Sequence, residues 1–561
     1  MPRYGRMLRV GLCALIACLL YLPGLGRPAL WEPDEGRYAE IAREMVQSGD
    51  YITPRDDWVR YFEKPPLIYW SSALAIKVLG TNEFAVRLPA ALSSIGQVTI
   101  TYALAEEMFG AAVGLLAASS LALSPLFFGF GRVLTLDPAL AFFIEAALAS
   151  FYIAARAAPS LDNARSRNWL LVAAAMMALG TLTKGPVALV LSGGIALIYL
   201  IAERRGRELI HIPWLGCGLI YLAIVAPWFV VVARRNPDFL GFFFVHEHLQ
   251  RYVSSTEHPW GIYFFIPVTL AGMWPWIYFV PRAIARLRDP ESTEPASERR
   301  PALIFLLIWF AFVFVFFSIP HSKLGSYILP GLPPLAILAG YGLWSIVREE
   351  AAHARRELGA LACVNAGIAA IAIPVLVLVS WHYRMIALGI DGAIALAALA
   401  AGAIRAYVIV RGGGSMSHAI AVIMVASLIT CGMLMKARAD AADSISYREL
   451  AREIAPAISR GCVLASYHHH LQSLPFYTGA REVLIAHRGE LAPQGATPDA
   501  QASFLDSDRE LAQLWASDRC VVLIVNQGDL ASLAARLKPL PVKLGSEGKK
   551  LAVSNQAKAN P

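Results

Sequence analysis

Apolar runs of membrane-spanning length, separated by short polar connections, fill the first 436 positions of the chain. A hydrocarbon core about 30 Å thick takes about 20 residues of helix to cross. The runs predict about thirteen transmembrane helices, near 8–24, 84–104, 112–131, 137–156, 168–183, 186–202, 211–232, 260–281, 302–318, 326–347, 358–380, 386–409 and 417–435. The longest polar interruption in the first third is Trp31 to Pro66. Within it, Tyr38, Ile41, Ala42 and Met45 recur at helical spacing, which predicts a helix from Glu35 to Gln47. Its other face is charged, so the expectation is a helix lying along a membrane surface. Asp34 precedes it, placed either to cap free amides or to point outward as a reactive carboxylate.

After Lys436 the pattern changes. Apolar runs shorten to strand length at 462–466, 482–486 and 520–525, alternating with helical patterns near 446–459, 505–517 and 528–537. Short buried strands between helices predict a small α/β domain over 437–561, with disorder from about Ser554. The expected organisation is a transmembrane domain over 1–436 followed by this one.

Composition adds the class. Hydrophobic residues make up 57% of the 561 positions, charged residues 16%, and the mean hydropathy is +0.52. That excludes an ordinary soluble protein. Arg3, Arg6 and Arg9 precede the first run, no small-residue cleavage site follows it, and the run therefore reads as a first span rather than a signal peptide. Arginines then cluster in alternate connections, around 156–167, 204–207, 282–300, 348–356 and 405–411, which the positive-inside rule makes cytoplasmic. Topology thus accounts for the net charge of +8 and no nucleic-acid partner is implied. The connection 105–111, with Glu106 and Glu107 and no basic residue, is the exception. The seven cysteines are scattered, mostly within spans, and suggest neither a disulfide framework nor a zinc motif.

The opposite set of connections, 31–83, 131–138, 181–186, 233–260 and 319–326, faces outward together with the C-terminal domain. These loops hold isolated ionisable groups beside Gly and Pro: Asp137 before Pro138, Lys184 and Lys323 in tight turns, Arg251 after an aromatic run. Each alone reads as an interfacial anchor or helix cap. Together they supply carboxylates and cations at one level of the bilayer, a pattern suited to a lipid-borne phosphate carrying a hydroxylated or amino group. A transporter would place its ionisable residues at mid-bilayer in repeated halves, and no such repeat is present.

Four motifs then occur in order: Asp34-Glu35-x-Arg37-Tyr38-Ala39-Glu40-Ile41, Tyr61-Phe62-Glu63-Lys64-Pro65, Lys184-Gly185-Pro186 and Lys323-Leu324-x-x-Tyr327-x-Leu329-Pro330. In these the chain resembles the aminoarabinose transferases of bacterial lipid A modification, relatives of protein O-mannosyltransferases in the GT-C glycosyltransferase superfamily. It departs from them at Gly36 and at Gly325-Ser326, where the family favours D-E-T-R-Y and K-L-P-T-Y. The resemblance implies an all-α polytopic GT-C enzyme of the bacterial inner membrane with a periplasmic site. It would move a sugar, 4-amino-4-deoxy-L-arabinose, from polyprenyl phosphate to a lipid A phosphate. Asp34 and Asp137 are then the catalytic candidates. Glu35, Arg37, Tyr38, Glu63, Lys64, Lys184, Arg251, His321, Lys323 and Tyr327 are the substrate-binding candidates. Another sugar or acceptor, a surface-glycan polymerase or ligase, and a lipid or sugar transporter are the alternatives.

The sequence establishes no cofactor, and a divalent metal stays open. Glu63, His246 and His258 are the residues that would hold a divalent metal, although their spacing is no zinc signature. His468-His469-His470 reads as a surface or turn feature. All of this rests on acidic and basic groups far apart in sequence converging on one sugar–phosphate–lipid junction.

Overall fold

A computed structural model describes residues 2–157, 161, 163–250, 259–289, 296–348, 351–382, 386–489, 491 and 498–556. In chain order the first half contains α1 (Pro2–Tyr21), α2 (Asp34–Ser48), strands β1 (Arg55–Asp56) and β2 (Val59–Arg60), α3 (Leu67–Leu79), α4 (Glu83–Phe109), α5 (Ala111–Ala122), α6 (Pro125–Phe130), α7 (Asp137–Ala157), α8 (Ala164–Lys184) and α9 (Val187–Ala202). Two compact units result, Met1–Pro23 with Ala90–Arg438 and Gly24–Pro89 with Ala439–Pro561. Residues 24–89, contiguous in sequence with the membrane helices, thus fall in the unit that contains the C-terminal sheet.

The first unit is a helical membrane bundle. Among the described residues of the chain, nine helices are long and apolar enough to cross a membrane, and α5 and α9 are shorter apolar helices of this unit. Two expected spans are interrupted. The stretch 112–131 stops at Ala122 and restarts at Pro125, because a proline has no N–H to continue the ladder and suits a first turn instead. The stretch 260–281 divides into Phe265–Gly272, a 3₁₀ turn Trp276–Phe279 and Val280–Arg288, with Pro275 at the break. The bundle core includes the fully buried Trp276 and Trp309, and Trp309 Nε1 donates to Pro330 O at 2.8 Å. Glu106 and Glu107, the acidic exception among the inner connections, form the last turn of α4. They pair with Arg9 (2.5 Å) and Arg6 (2.7 Å) of α1, so the N-terminal arginines neutralise them.

The second unit is built on a six-stranded sheet. Strands β3 (Val463–Tyr467), β4 (Glu482–Ile485), β5 (Phe504–Leu505), β6 (Val521–Asn526), β7 (Val542–Glu547) and β8 (Lys550–Ser554) take the order β5-β4-β3-β6-β8-β7. The first four are parallel, and β8 and β7 close the edge antiparallel. Helix Arg448–Ser459 covers one face with Leu450, Ile454 and Ala457, while Leu511 and Trp515 of helix Asp508–Trp515 cover the other. The sequence reading located β3, β4 and β6 but not the edge hairpin, because β7 is largely polar and only half-buried.

Three expectations are corrected here. Cys462 and Cys520 form a disulfide at the starts of adjacent strands, a pairing that the scattered spacing concealed. Ser554 closes β8 and Asn555 accepts from Val521 N at 2.9 Å, so order extends past Ser554, and residues 557–561 lie outside the described ones. Helix α2 runs almost as expected, yet the charged face expected to be solvated is covered: residues 35–45 are buried on every face. A Cβ at Gly36 would stand 2.5 Å from Ser473 N and 2.7 Å from Gln472 C, so the approach of that backbone is what demands glycine.

Charged groups on α2 are consumed inside the unit. Arg43 bonds both oxygens of Glu40 (2.7 and 2.6 Å), and Glu44 accepts from Trp58 N at 2.9 Å. Asp57 and Trp58 form a two-residue turn between β1 and β2 with φ of 51° and 65°, the mirror-image type that twists with the strands. Asp57 Oδ1 in turn accepts from Glu482 N at 2.7 Å. His468 is an exposed turn residue with φ 62°, as expected of a turn feature. His470 instead points inward, its side chain 7% exposed and its Nε2 3.5 Å from Glu482 Oε2.

Candidate active site

In the first unit the groups gather where α7 begins and α8 ends. The two helices are antiparallel neighbours joined by a short connection, so the first residue of α7, Asp137, comes level with the last residue of α8, Lys184. Each sits at the helix end that favours its charge, carboxylate at an N-terminus and ammonium at a C-terminus. They form an ion pair between Lys184 Nζ and Asp137 Oδ1, 17% and 10% exposed. Gly185, at φ 90°, ends α8 and Pro186 precedes α9, which explains the K-G-P motif as a tight reversal. Lys184 Nζ also lies 4.4 Å from the ring centroid of Tyr327, within cation–π range.

Tyr327 belongs to a 3₁₀ turn, Gly325–Gly331. Beside it Lys323 is 2% exposed, and its ammonium donates to the carbonyls of Trp260 (3.0 Å) and Pro320. These bonds tie the loop to Trp260, whose N–H donates to His321 O at 3.1 Å. Burial lowers the pKa of Lys323. The His321 residue itself is exposed. A Cβ at Gly325 would meet Val268 Cγ1 at an ordinary 3.8 Å, so this departure from the family motif is not a packing requirement.

In the second unit Asp34 is the first residue of α2, after Pro33 at the N-cap position. It is 47% exposed, with Arg37 Nη1 3.6 Å away. Arg37 is held from below: its Nη1 donates to Tyr61 OH at 3.2 Å and its guanidinium lies 5.7 Å from the Tyr61 ring centre. Burial pushes the Tyr61 hydroxyl well above its ordinary pKa, so it stays a neutral partner. Lys64 Nζ lies 3.8 Å from Glu63 Oε2 and donates to Glu63 O at 3.1 Å. Tyr38 packs on Tyr69 with ring centres 5.9 Å apart.

Glu35 has a different situation. Its carboxylate is 1% exposed and accepts from Arg87 Nε (2.7 Å), Arg87 Nη2 (2.9 Å) and Trp31 N (3.0 Å). Arg87 also donates to the carbonyls of Leu25, Pro28 and Ala29, which fixes the whole approach to α2. Sequence reasoning missed Arg87 because it sits at the mouth of an apolar run, where arginine reads as an anchor. Arg251 and His258 lie outside the described residues, as does the side chain of His246 in the π-helical stretch Gly241–Gln250. Among the described residues no group of three or more His, Cys, Asp and Glu could hold a metal.

Two family models match the chain: dolichyl-phosphate-mannose-protein mannosyltransferase over residues 63–230 and aminoarabinose transferase C-terminal domain over 450–555. The undecaprenyl phosphate-α-4-amino-4-deoxy-L-arabinose arabinosyl transferase of Yersinia enterocolitica is 32% identical over 382 residues, covering 67% of both chains. The chain belongs to the aminoarabinose transferase family. A second such transferase, from Erwinia tasmaniensis, is 36% identical over 377 residues, 66% of this chain, and the match spans just under two thirds (65%) of that relative's length. The crystal structure of ArnT from Cupriavidus metallidurans bound to undecaprenyl phosphate superimposes with a TM-score of 0.87 at 28% identity, covering 98% of this chain and 99% of that one. The GT-C architecture and the multi-pass membrane character of this aminoarabinose transferase relative follow from that likeness and from its apolar helices.

Proposed function

We propose that the chain transfers 4-amino-4-deoxy-L-arabinose from undecaprenyl phosphate to a lipid A phosphate at the periplasmic face of the inner membrane. The observation that carries the reading is the full-length likeness to a transferase solved with undecaprenyl phosphate, together with an Asp137–Lys184–Tyr327 cluster at the helix ends where a lipid phosphate would arrive.

In the reaction the bond between the anomeric carbon and the donor phosphate oxygen breaks, and a bond from that carbon to an acceptor phosphate oxygen forms. Undecaprenyl phosphate leaves as an anion. An ionised acceptor phosphate is already a nucleophile, so no base is needed. The protein's task is then electrostatic: cations that take up charge on the leaving phosphate, and a carboxylate near the positive charge that develops on the sugar ring. Lys184 is the candidate for the leaving phosphate, with Asp137 holding its ammonium in place. Asp34, half-exposed and only loosely paired, is the candidate for the sugar, through its amine or its ring charge. Lys64 is a second cation for phosphate. Lys323 is assigned to holding its loop, since it is buried and two of its three donors go to carbonyls.

The orientation draws on two features. Arginines at the N-terminus support a cytoplasmic location of that end by the positive-inside rule. The Cys462–Cys520 disulfide suits an oxidising compartment, which supports a periplasmic sheet domain.

Mass spectrometry of lipid A from cells with and without the gene tests the function. A pentosamine-sized increment that depends on the gene and vanishes in Asp34→Asn is expected. Unmodified lipid A despite verified expression rejects the acceptor, and an increment of another mass rejects the sugar.

A further inference from the structure

Helix α4 carries polar residues where lipid-facing or core positions would ordinarily be apolar. Gln97 and Thr101 stand one turn apart, both fully buried, within a helix long and apolar enough to span the membrane. A neutral amide in that setting is costly to bury unless it is bonded. Gln97 Nε2 donates to Pro138 O at 3.0 Å, and Thr101 Oγ1 donates to Glu145 Oε1 at 2.6 Å. Both acceptors lie on α7, and Phe142, between them along that helix, brings its ring against Gly96 beside Gln97: a Cβ there would meet Cε2 at 2.5 Å. Helix α4 is therefore fastened to α7 by two buried hydrogen bonds flanking a close approach.

The upper fastening is placed where it matters for chemistry. Pro138 follows Asp137 directly, and its ring fixes the backbone torsion between them. Holding the Pro138 carbonyl therefore holds the peptide that carries the Asp137 side chain, whose carboxylate is the partner of Lys184. We propose that Gln97 is a positioning residue: it sets Asp137 against Lys184 and so aims the ammonium that meets the donor phosphate. Thr101 and Glu145 fix the same helix pair about two turns deeper along α7, against rotation. The inference rests on the roles given above to Asp137 and Lys184.

The test uses the full-length chain in proteoliposomes with undecaprenyl-phosphate-linked aminoarabinose and lipid A. Gln97→Met keeps the volume and removes the donor; Gln97→Glu keeps a donor only while its carboxyl is protonated. For Gln97→Met the donor KM is expected to rise about tenfold or more, with kcat changed less, as a misplaced binding group would produce. Gln97→Glu is expected to approach wild type at low pH and to lose donor affinity as pH rises, a profile absent from wild type. In an Asp137→Asn background Gln97→Met is expected to add little, since both act through one pair. Wild-type donor KM in Gln97→Met, or losses that multiply with Asp137→Asn, overturn the positioning role while leaving Asp137 in place. Full activity of Asp137→Asn itself overturns both readings. If Gln97→Met does not fold, the pH profile of Gln97→Glu decides: a profile parallel to wild type refutes the proposal.

Discussion

Arg87 grips Glu35 with two hydrogen bonds of 2.7 and 2.9 Å while its remaining N–H groups reach the carbonyls of Leu25, Pro28 and Ala29. Both side chains are essentially sealed from solvent, 0% and 1% exposed. Removing one partner of such a pair leaves an uncompensated buried charge, a loss of about 3–5 kcal/mol. Arg87→Met is expected to lower the unfolding temperature of the purified protein sharply, and Glu35→Gln to do so less because an amide still bonds. A Glu35→Gln protein of unchanged stability with a raised donor KM would instead make Glu35 a substrate ligand.

Asp34, one residue earlier, is expected to behave oppositely. It is half-exposed and its one ion-pair contact is long at 3.6 Å. Asp34→Asn should leave stability within about 0.5 kcal/mol of wild type. Transfer should fall by about 100-fold or more, the scale of a lost electrostatic contact in a transition state. Thermal unfolding and initial-rate assays on the same preparation separate the two effects.

The contrast between these neighbours shows where reading a sequence stops. The stripe Tyr38, Ile41, Ala42 and Met45 located α2 within a residue or two. The burial of α2 was not legible, because the chain packed around it comes from more than 400 positions away: Ser473 stands against Gly36 and its N–H binds Glu32 at 2.7 Å, while Glu482 N binds Asp57 of the following hairpin. Asp137 and Lys184 were legible as separate candidates. Their pairing needed only the further step of noticing that α7 and α8 are consecutive antiparallel helices. Gln97 was hidden inside an apolar run, where averaging over a window dilutes one polar residue. The Cys462–Cys520 pair, 58 positions apart, was masked by cysteines within the membrane helices.

That disulfide gives a third expectation. Closing a loop of 58 residues stabilises the folded state by about 4 kcal/mol in the chain-entropy picture. Cys462→Ser with Cys520→Ser, or reduction, should therefore lower the stability of the sheet domain and speed its proteolysis while leaving the membrane bundle intact. Limited proteolysis followed by mass spectrometry reads both. Equal protease resistance of oxidised and reduced protein would contradict it.

Buried titratable groups of the second unit set its response to pH. Burial raises Glu482 to about 8, opposed by the Ser466 hydroxyl and reinforced by Glu32. Because the folded pKa is raised above its unfolded value near 4.5, this contribution is complete below that value and is lost as pH climbs toward 8. His470 is lowered to about 3, first by burial and then by Arg37. Its contribution is complete above the unfolded pKa near 6.5 and is lost as pH falls from there toward 3. Stability should peak between these limbs. Glu482→Gln should flatten the alkaline side alone, and melting temperatures from pH 5 to 9 measure it; an unchanged alkaline slope would refute the assignment.

The second unit joins residues 24–89 to 439–561, the earliest loop to the final segment of the chain. Translation delivers these pieces far apart in time, with the membrane helices of the bundle that follow α1 made in between. Until the last hundred or so residues emerge, Glu32, Gly36 and Asp57 lack the backbone they are shaped to meet. This unit therefore closes only after its C-terminal part has been made, and a chain that stops before then leaves the first loop without the partners it packs on.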